Sequence, residues 1–218
     1  MSWFRRSLVI AVISMATAGA AVAASITLTS AHLTTFAKVY GLPTTCTLGP
    51  SADTYVFQLL ASSNFGTATT LDVASTTASV KQVFIRFDLS GCSPAIPTGA
   101  IVQSAALKLT VSALAASTRT YEVKSTAASW SETALTWSNA PAVAATATAS
   151  TTVSLGTAAG TVVQWSVVSD VQSFVTAAAT DNGWRLGDSA EGSGISTLSF
   201  GSREAATGRP QLVIVYVS

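Results

Sequence analysis

Charge is scarce in this chain. Only 10% of its 218 residues are Asp, Glu, Lys or Arg, against roughly 25% in an average soluble domain. Its surface must therefore be built from Ser, Thr, Asn, Gln and Ala. Histidine is scarcer still: the one His, His32, lies near the N-terminus. A Ser-His-Asp or Cys-His arrangement on the body of the chain would lack its base. Two cysteines, Cys46 and Cys92, offer too few ligands for zinc at any useful spacing. Net charge is +1, so the basic footprint of a nucleic-acid binder is missing. A Gly-rich phosphate loop is also missing, since the Gly/Ser-rich stretch 188–194 leads into a strand pattern and not a helix. Beyond the N-terminus, no run is long and apolar enough to cross a bilayer.

The N-terminus itself is informative. Arg5 and Arg6 make a basic start, residues 8–18 are uncharged and largely apolar, and Ala21-Val22-Ala23-Ala24-Ser25 supplies small residues for cleavage after Ala23 or one residue later. This pattern predicts a signal peptide over residues 1–24 and a mature chain that is secreted, in the extracellular space or at the cell surface. An uncleaved anchor is the alternative, because the apolar stretch extends through Ile26 and Leu28 to about 20 residues. Without Arg5 and Arg6, nine basic residues face ten acidic ones, a net charge near −1. In an exported protein, Cys46 and Cys92 are expected to form one disulfide.

Residues 25–50 are Thr-rich, have little periodicity and are broken by Gly41, Pro43, Gly49 and Pro50. They read as a lead-in segment with one extended stretch at 26–28, before a domain over residues 51–218. From Asp53 onward, short β-branched and aromatic runs alternate with polar residues and are separated by Gly, Pro, Asn or Ser. Strands are predicted at 54–57, 70–73, 81–88, 101–111, 119–125, 162–167, 183–188, 197–202 and 211–217. Val83, Ile85, Phe87 and Leu89 share one strand face, and Gln82, Phe84, Arg86 and Asp88 the other. The last run is apolar on both faces, as a central strand should be. One helix is predicted at 168–179, from Val168, Val171, Phe174 and Val175 with Ser169 or Asp170 as cap. The Ala/Thr-rich stretch 142–152 reads as a long loop containing a strand. These elements define an all-β, antiparallel, two-sheet jelly-roll β-sandwich with one short helix.

Several blocks in order resemble a known family. They are Ala52-Asp53-Thr54-Tyr55-Val56 with Asn64-Phe65-Gly66-Thr67; Phe84-Ile85-Arg86-Phe87-Asp88-Leu89; Trp130-Ser131-Glu132 with Leu135-Thr136-Trp137-Ser138-Asn139-Ala140-Pro141; and Ser202-Arg203-Glu204-Ala205 before Pro210-Gln211-Leu212. Over about residues 50–218 the chain resembles the DNRLRE domain family, also grouped as a carbohydrate-binding module. The name-giving hexapeptide itself is replaced, with Asp181-Asn182-Gly183-Trp184-Arg185-Leu186 standing nearest to it. The resemblance implies an extracellular jelly roll, and for some members binding of acidic polysaccharides such as alginate. Members often accompany polysaccharide-degrading domains, whereas this chain carries none that its sequence reveals.

Glycans are held by aromatic faces and by planar hydrogen-bonding groups, and Arg grips carboxylates with two bonds at once. The aromatic candidates are Tyr55, Phe65, Trp130, Trp137, Trp165 and Trp184. Lys81 joins the cations, and the expected ligand-binding set is Arg86, Lys108, Lys124, Arg185, Arg203 and Trp137. Each also has a structural reading. Trp137 can anchor a turn, Arg86 can pair with Asp88 or Glu204, and the lysines can blunt strand edges. No catalytic residue, metal ligand or cofactor is assigned, although a structural calcium could use the acidic loops Asp181-Asn182 and Asp188-Ser189-Ala190-Glu191. The acids Asp53, Asp72, Asp88 and Glu132 fall at strand or turn positions and suggest no hydrolytic pair. The sequence thus predicts a non-catalytic module whose partner is a polysaccharide or cell-surface glycan, with no nucleic-acid partner and no membrane partner after signal removal. The alternative is a structural or adhesive surface protein, a filament subunit assembling by strand addition from the lead-in.

Overall fold

Alternation becomes sheet in the computed structural model, which describes residues 41–194 and 197–218. The signal peptide, the stretch 26–28, His32 and most of the lead-in lie outside the described residues. The elements run in the order β1 (Thr44–Leu48), β2 (Pro50–Phe57), β3 (Thr70–Thr76), β4 (Ser79–Phe87), β5 (Ile101–Thr110), β6 (Arg119–Ser125), β7 (Ala149–Val153), β8 (Val162–Ser166), α1 (Val168–Val175), β9 (Trp184–Asp188), β10 (Thr197–Gly201) and β11 (Gln211–Val217). Among the described residues they form two antiparallel sheets. One has four strands in the order β1-β11-β5-β8; the other has seven, in the order β10-β3-β4-β9-β6-β7 with β2 on the free side of β4.

The inner faces hold the core. Val83, Ile85 and Phe87 from β4 and Trp184 and Leu186 from β9 meet Leu107 and Leu109 from β5 and Leu212 and Ile214 from β11. The two-faced apolar run at the C-terminus is β11, which lies between β1 and β5 in the four-stranded sheet. Each buried indole N–H finds an acceptor: Trp165 Nε1 donates to the Tyr121 carbonyl at 3.0 Å and Trp184 Nε1 to Asp170 Oδ2 at 2.7 Å. That satisfies polar groups which would otherwise cost free energy in the core. The Cys46–Cys92 disulfide ties β1 of the smaller sheet to the turn that follows β4 of the larger.

Several boundaries differ from the sequence expectation. The sandwich begins inside the predicted lead-in, because Thr44–Leu48 pairs with β11 and turns Cys46 and Leu48 inward; the intervening threonines mask that alternation. The strand expected within the Ala/Thr-rich stretch is β7, which pairs with β6. The helix stops at Val175 instead of 179, where Ala177 takes a left-handed backbone at φ 55°. That conformation cannot continue an α-helix.

Candidate functional site

Most of the cations expected to bind ligand project from the outer face of the seven-stranded sheet. Arg185 on β9 stands opposite Phe84 on β4 and Lys124 on β6, with Arg86 further along β4. These side chains are engaged. Arg185 is 6% exposed and pairs with Glu191, which also accepts from the Gln82 amide at 2.9 and 3.0 Å. Gly187 leaves room for this pair, since a Cβ there would stand 2.3 Å from Arg185 Nη1. Lys124 lies 3.4 Å from Glu122. Arg86 stacks 5.5 Å from the centroid of Trp130.

Trp130 itself is structural. It meets Phe84 edge-on, donates Nε1–H to the Asn182 carbonyl at 2.9 Å, and with Ala52, Val56 and Leu135 forms a second, smaller core on the outside of the sheet. Trp137 opens a 3-10 turn with a reciprocal Thr136–Asn139 cap and packs against that core. Trp165 and Trp184 lie sealed in the main core. Tyr55 and Phe65 stack on each other at 4.4 Å, and Lys81 sits over Tyr55 while pairing with Asp72 at 2.8 Å. The acidic loops considered for calcium are also engaged. Asp181 accepts from the Gly183 N–H, and Asp188 is held by two bonds from Arg119 and one from the Ala190 N–H.

The four-stranded sheet presents a different outer face. Lys108 on β5 is flanked by Gln211 on β11 and Gln164 on β8. Two residues along the same face is Thr110, which borders a concavity of about 440 Å³ with Thr207, Arg209 and Gln211. Arg209 is fixed by a 2.8 Å bond from Nε to the Ala205 carbonyl. It also lines a neighbouring concavity of about 370 Å³ with Pro50, Arg203 and Glu204. Among the described residues, neither Lys108 nor Arg209 forms an ion pair. The surface therefore offers two uncommitted cations, two amides and a hydroxyl, which are donors for carboxylates and partners for sugar hydroxyls. The sequence reading missed Arg209, because it sits in the Thr207-Gly208-Arg209-Pro210 turn and has no place on any strand face. The turn's position just before a strongly apolar strand was the available signal.

Beside the smaller concavity lies an acidic cluster. Asp53, Glu132 and Glu204 converge, with Arg203 among them donating to Glu132 Oε2, to Glu204 Oε1 and to the Ser51 carbonyl, at 2.8, 2.8 and 2.9 Å. The Arg203 backbone N–H donates to Asp53 Oδ2 at 2.9 Å, and the Asp53 N–H to Glu132 Oε1 at 2.8 Å. Burial pushes the Asp53 carboxyl up to about 7, with repulsion from Glu204 and Glu132 added and the Arg203 N–H opposing. Glu132 is placed by Asn64, whose amide donates to the Glu132 and Leu135 carbonyls, both at 2.7 Å. Gly66 allows this approach, since a Cβ there would lie 2.3 Å from the Glu132 backbone carbonyl oxygen. Thus Arg203 is brought beside Arg209, while Lys108 lies along the neighbouring sheet face. Arg86, Lys124, Arg185 and Trp137 belong to the other side.

This face of the β-sandwich thus gathers amides, a hydroxyl and cations, the donors that sugar hydroxyls and carboxylates accept. The chain belongs to carbohydrate-binding module family 96, whose family model matches residues 44–216. The match begins at the first residue of β1 and supports the carbohydrate-binding part of the motif resemblance, under this family name and not the DNRLRE one. A search of curated proteins finds no significant match. No helix among the described residues is long and apolar enough to cross a membrane.

Proposed function

We propose that the protein is a secreted, non-catalytic module that binds acidic polysaccharide along the surface running from Arg209 to Lys108. One observation carries this reading: Arg209 lines both concavities and has no carboxylate partner among the described residues. A fixed guanidinium shared by two neighbouring concavities suits a repeating uronate, whose carboxylates it can grip with paired bonds. Gln211, Gln164 and Thr110, grouped around Lys108 on the four-stranded sheet, supply partners for sugar hydroxyls. The sequence features of a cleaved leader support export.

Affinity electrophoresis of the mature chain through gels containing alginate, pectin or chitin tests the reading. Retardation is expected with the two acidic polymers, weakening as salt shortens the screening length from about 8 Å toward 3 Å. Unretarded migration in all three gels refutes it. Turnover of any of these polymers by the purified protein refutes the non-catalytic part, and the mass of the exported chain reports cleavage after Ala23 or Ala24.

A further inference from the structure

Asp53, Glu132 and Glu204 come from three separate stretches: β2, the turn after Trp130, and the loop between β10 and β11. Each nevertheless places a carboxylate oxygen within 4.8 Å of the other two. Like charges so close repel strongly unless positive charge lies among them. Arg203 supplies one guanidinium against three carboxylates, so about two negative charges are left over when all are ionised.

The oxygens that remain untouched are the telling ones. Asp53 Oδ1 and Glu204 Oε2 are buried and accept no hydrogen bond among the described residues. Asp53 is 1% exposed and lies on the inward face of β2, opposite Ile85 on β4. A buried carboxylate oxygen without a donor is costly, and native folds rarely leave one. Here two occur in one cluster, while the sister oxygens of the same groups, Asp53 Oδ2 and Glu204 Oε1, are each bonded to Arg203. Arg203 thus takes one oxygen of each of these two groups and leaves the other without a partner.

We propose that Asp53, Glu132 and Glu204 hold one divalent cation of the calcium type, with Asp53 Oδ1 and Glu204 Oε2 as ligands and a Glu132 oxygen as the third. A dipositive ion matches the leftover charge. Glu132 can serve although both its oxygens accept hydrogen bonds, since each keeps a second lone pair. The donors are all hard oxygens, which excludes a zinc preference, and they are set by three independent backbones, an irregular arrangement that calcium tolerates better than magnesium. Glu204 opens onto the smaller concavity, so water can complete the shell. The ion would lock β2, the Trp130 turn and the loop leading to Arg209 together. The site shares the smaller concavity with the proposed polysaccharide surface, but calcium binding is read without any glycan present.

The test uses the full mature chain stripped with chelator and titrated with calcium chloride by calorimetry, alongside thermal melts. One ion per chain and a rise in Tm of several degrees are expected, with magnesium binding about tenfold more weakly or worse. Asp53→Asn and Glu204→Gln should each weaken calcium by about tenfold or more. If Asp53→Asn does not fold, the partly exposed Glu204→Gln carries the comparison, read by terbium luminescence. No heat and no Tm change with the wild-type chain overturns the proposal. So does calcium affinity in folded Glu204→Gln equal to wild type, or magnesium binding as tight as calcium.

Discussion

The two outer faces of this sandwich treat their cations differently. On the seven-stranded side Arg185 and Lys124 have carboxylate partners, Arg86 lies over Trp130, and a loop carrying Trp130 and Leu135 covers part of the sheet with its own small core. On the four-stranded side Lys108 and Arg209 stand beside amides and hydroxyls, without ion-pair partners among the described residues. A cation whose charge is already balanced by the fold has little left to offer a ligand, and removing it exposes its partner's desolvation. An unbalanced surface cation costs the fold little and retains its attraction for an anion. The number of Arg and Lys residues on a face therefore says less about binding than the company they keep.

The sharpest way to break the comparison is to remove the cap. Trp130→Ala should destabilise the protein by about 3–5 kcal/mol, the range for deleting a buried aromatic, and it also forfeits the bond to Asn182. Denaturant unfolding measures this. Under conditions where the variant is folded, its affinity for acidic polysaccharide should match wild type; a parallel loss of affinity would show that the capped face takes part in binding. Arg185→Ala should come next, at about 2 kcal/mol, because it strands Glu191 while that carboxylate still reaches solvent. Again stability should fall without binding.

The contrast between the faces was only partly legible in the sequence. Strand alternation exposed the sheets, and the face shared by Gln82, Phe84 and Arg86 was correctly separated from that of Val83, Ile85 and Phe87. Phe84 on the polar face was the clue to a second core, but its cover comes from residues 130–137, some 46 positions away, and no local pattern announces such a contact. Likewise Arg185 and Glu191 are close in sequence, yet their pairing depends on the space left by Gly187. Whether a charge is spent or available depends on long-range neighbours, so alternation reveals the side of the sheet and not the partner. The Cys46–Cys92 link was inferable because the chain has only two cysteines, which leave one pairing, and a leader-like N-terminus that points to an oxidising compartment.

The bare face should respond in the opposite sense. Lys108→Ala and Arg209→Ala are each expected to weaken acidic-polysaccharide binding by about tenfold, or 1.4 kcal/mol, while changing unfolding stability by less than about 0.5 kcal/mol. Calorimetry or gel retardation reads the first effect and denaturation the second. Loss of stability without loss of affinity would erase the distinction between the faces.

The smallest effect belongs to a half-buried acid beside the cap. Burial raises the Asp181 carboxyl to about 6 from an ordinary 3.8, against the lowering influence of the Gly183 N–H and of Arg86. The folded protein therefore binds this proton more tightly than the unfolded chain does. Its contribution to stability is fully present below pH 3.8 and is lost as pH rises through about 6. Asp181→Asn keeps an oxygen for the Gly183 N–H but carries no charge to desolvate. It should match wild type near pH 3.5 and exceed it by about 1 kcal/mol at pH 7, once the roughly two-unit shift is discounted for partial solvent contact. Urea unfolding of both proteins across pH 3.5–7 isolates the group, because every other titration is common to the pair. A constant difference at all pH values would mean that Asp181 stays ionised under the cap, and that Arg86 serves it as a counter-charge as well as stacking on Trp130.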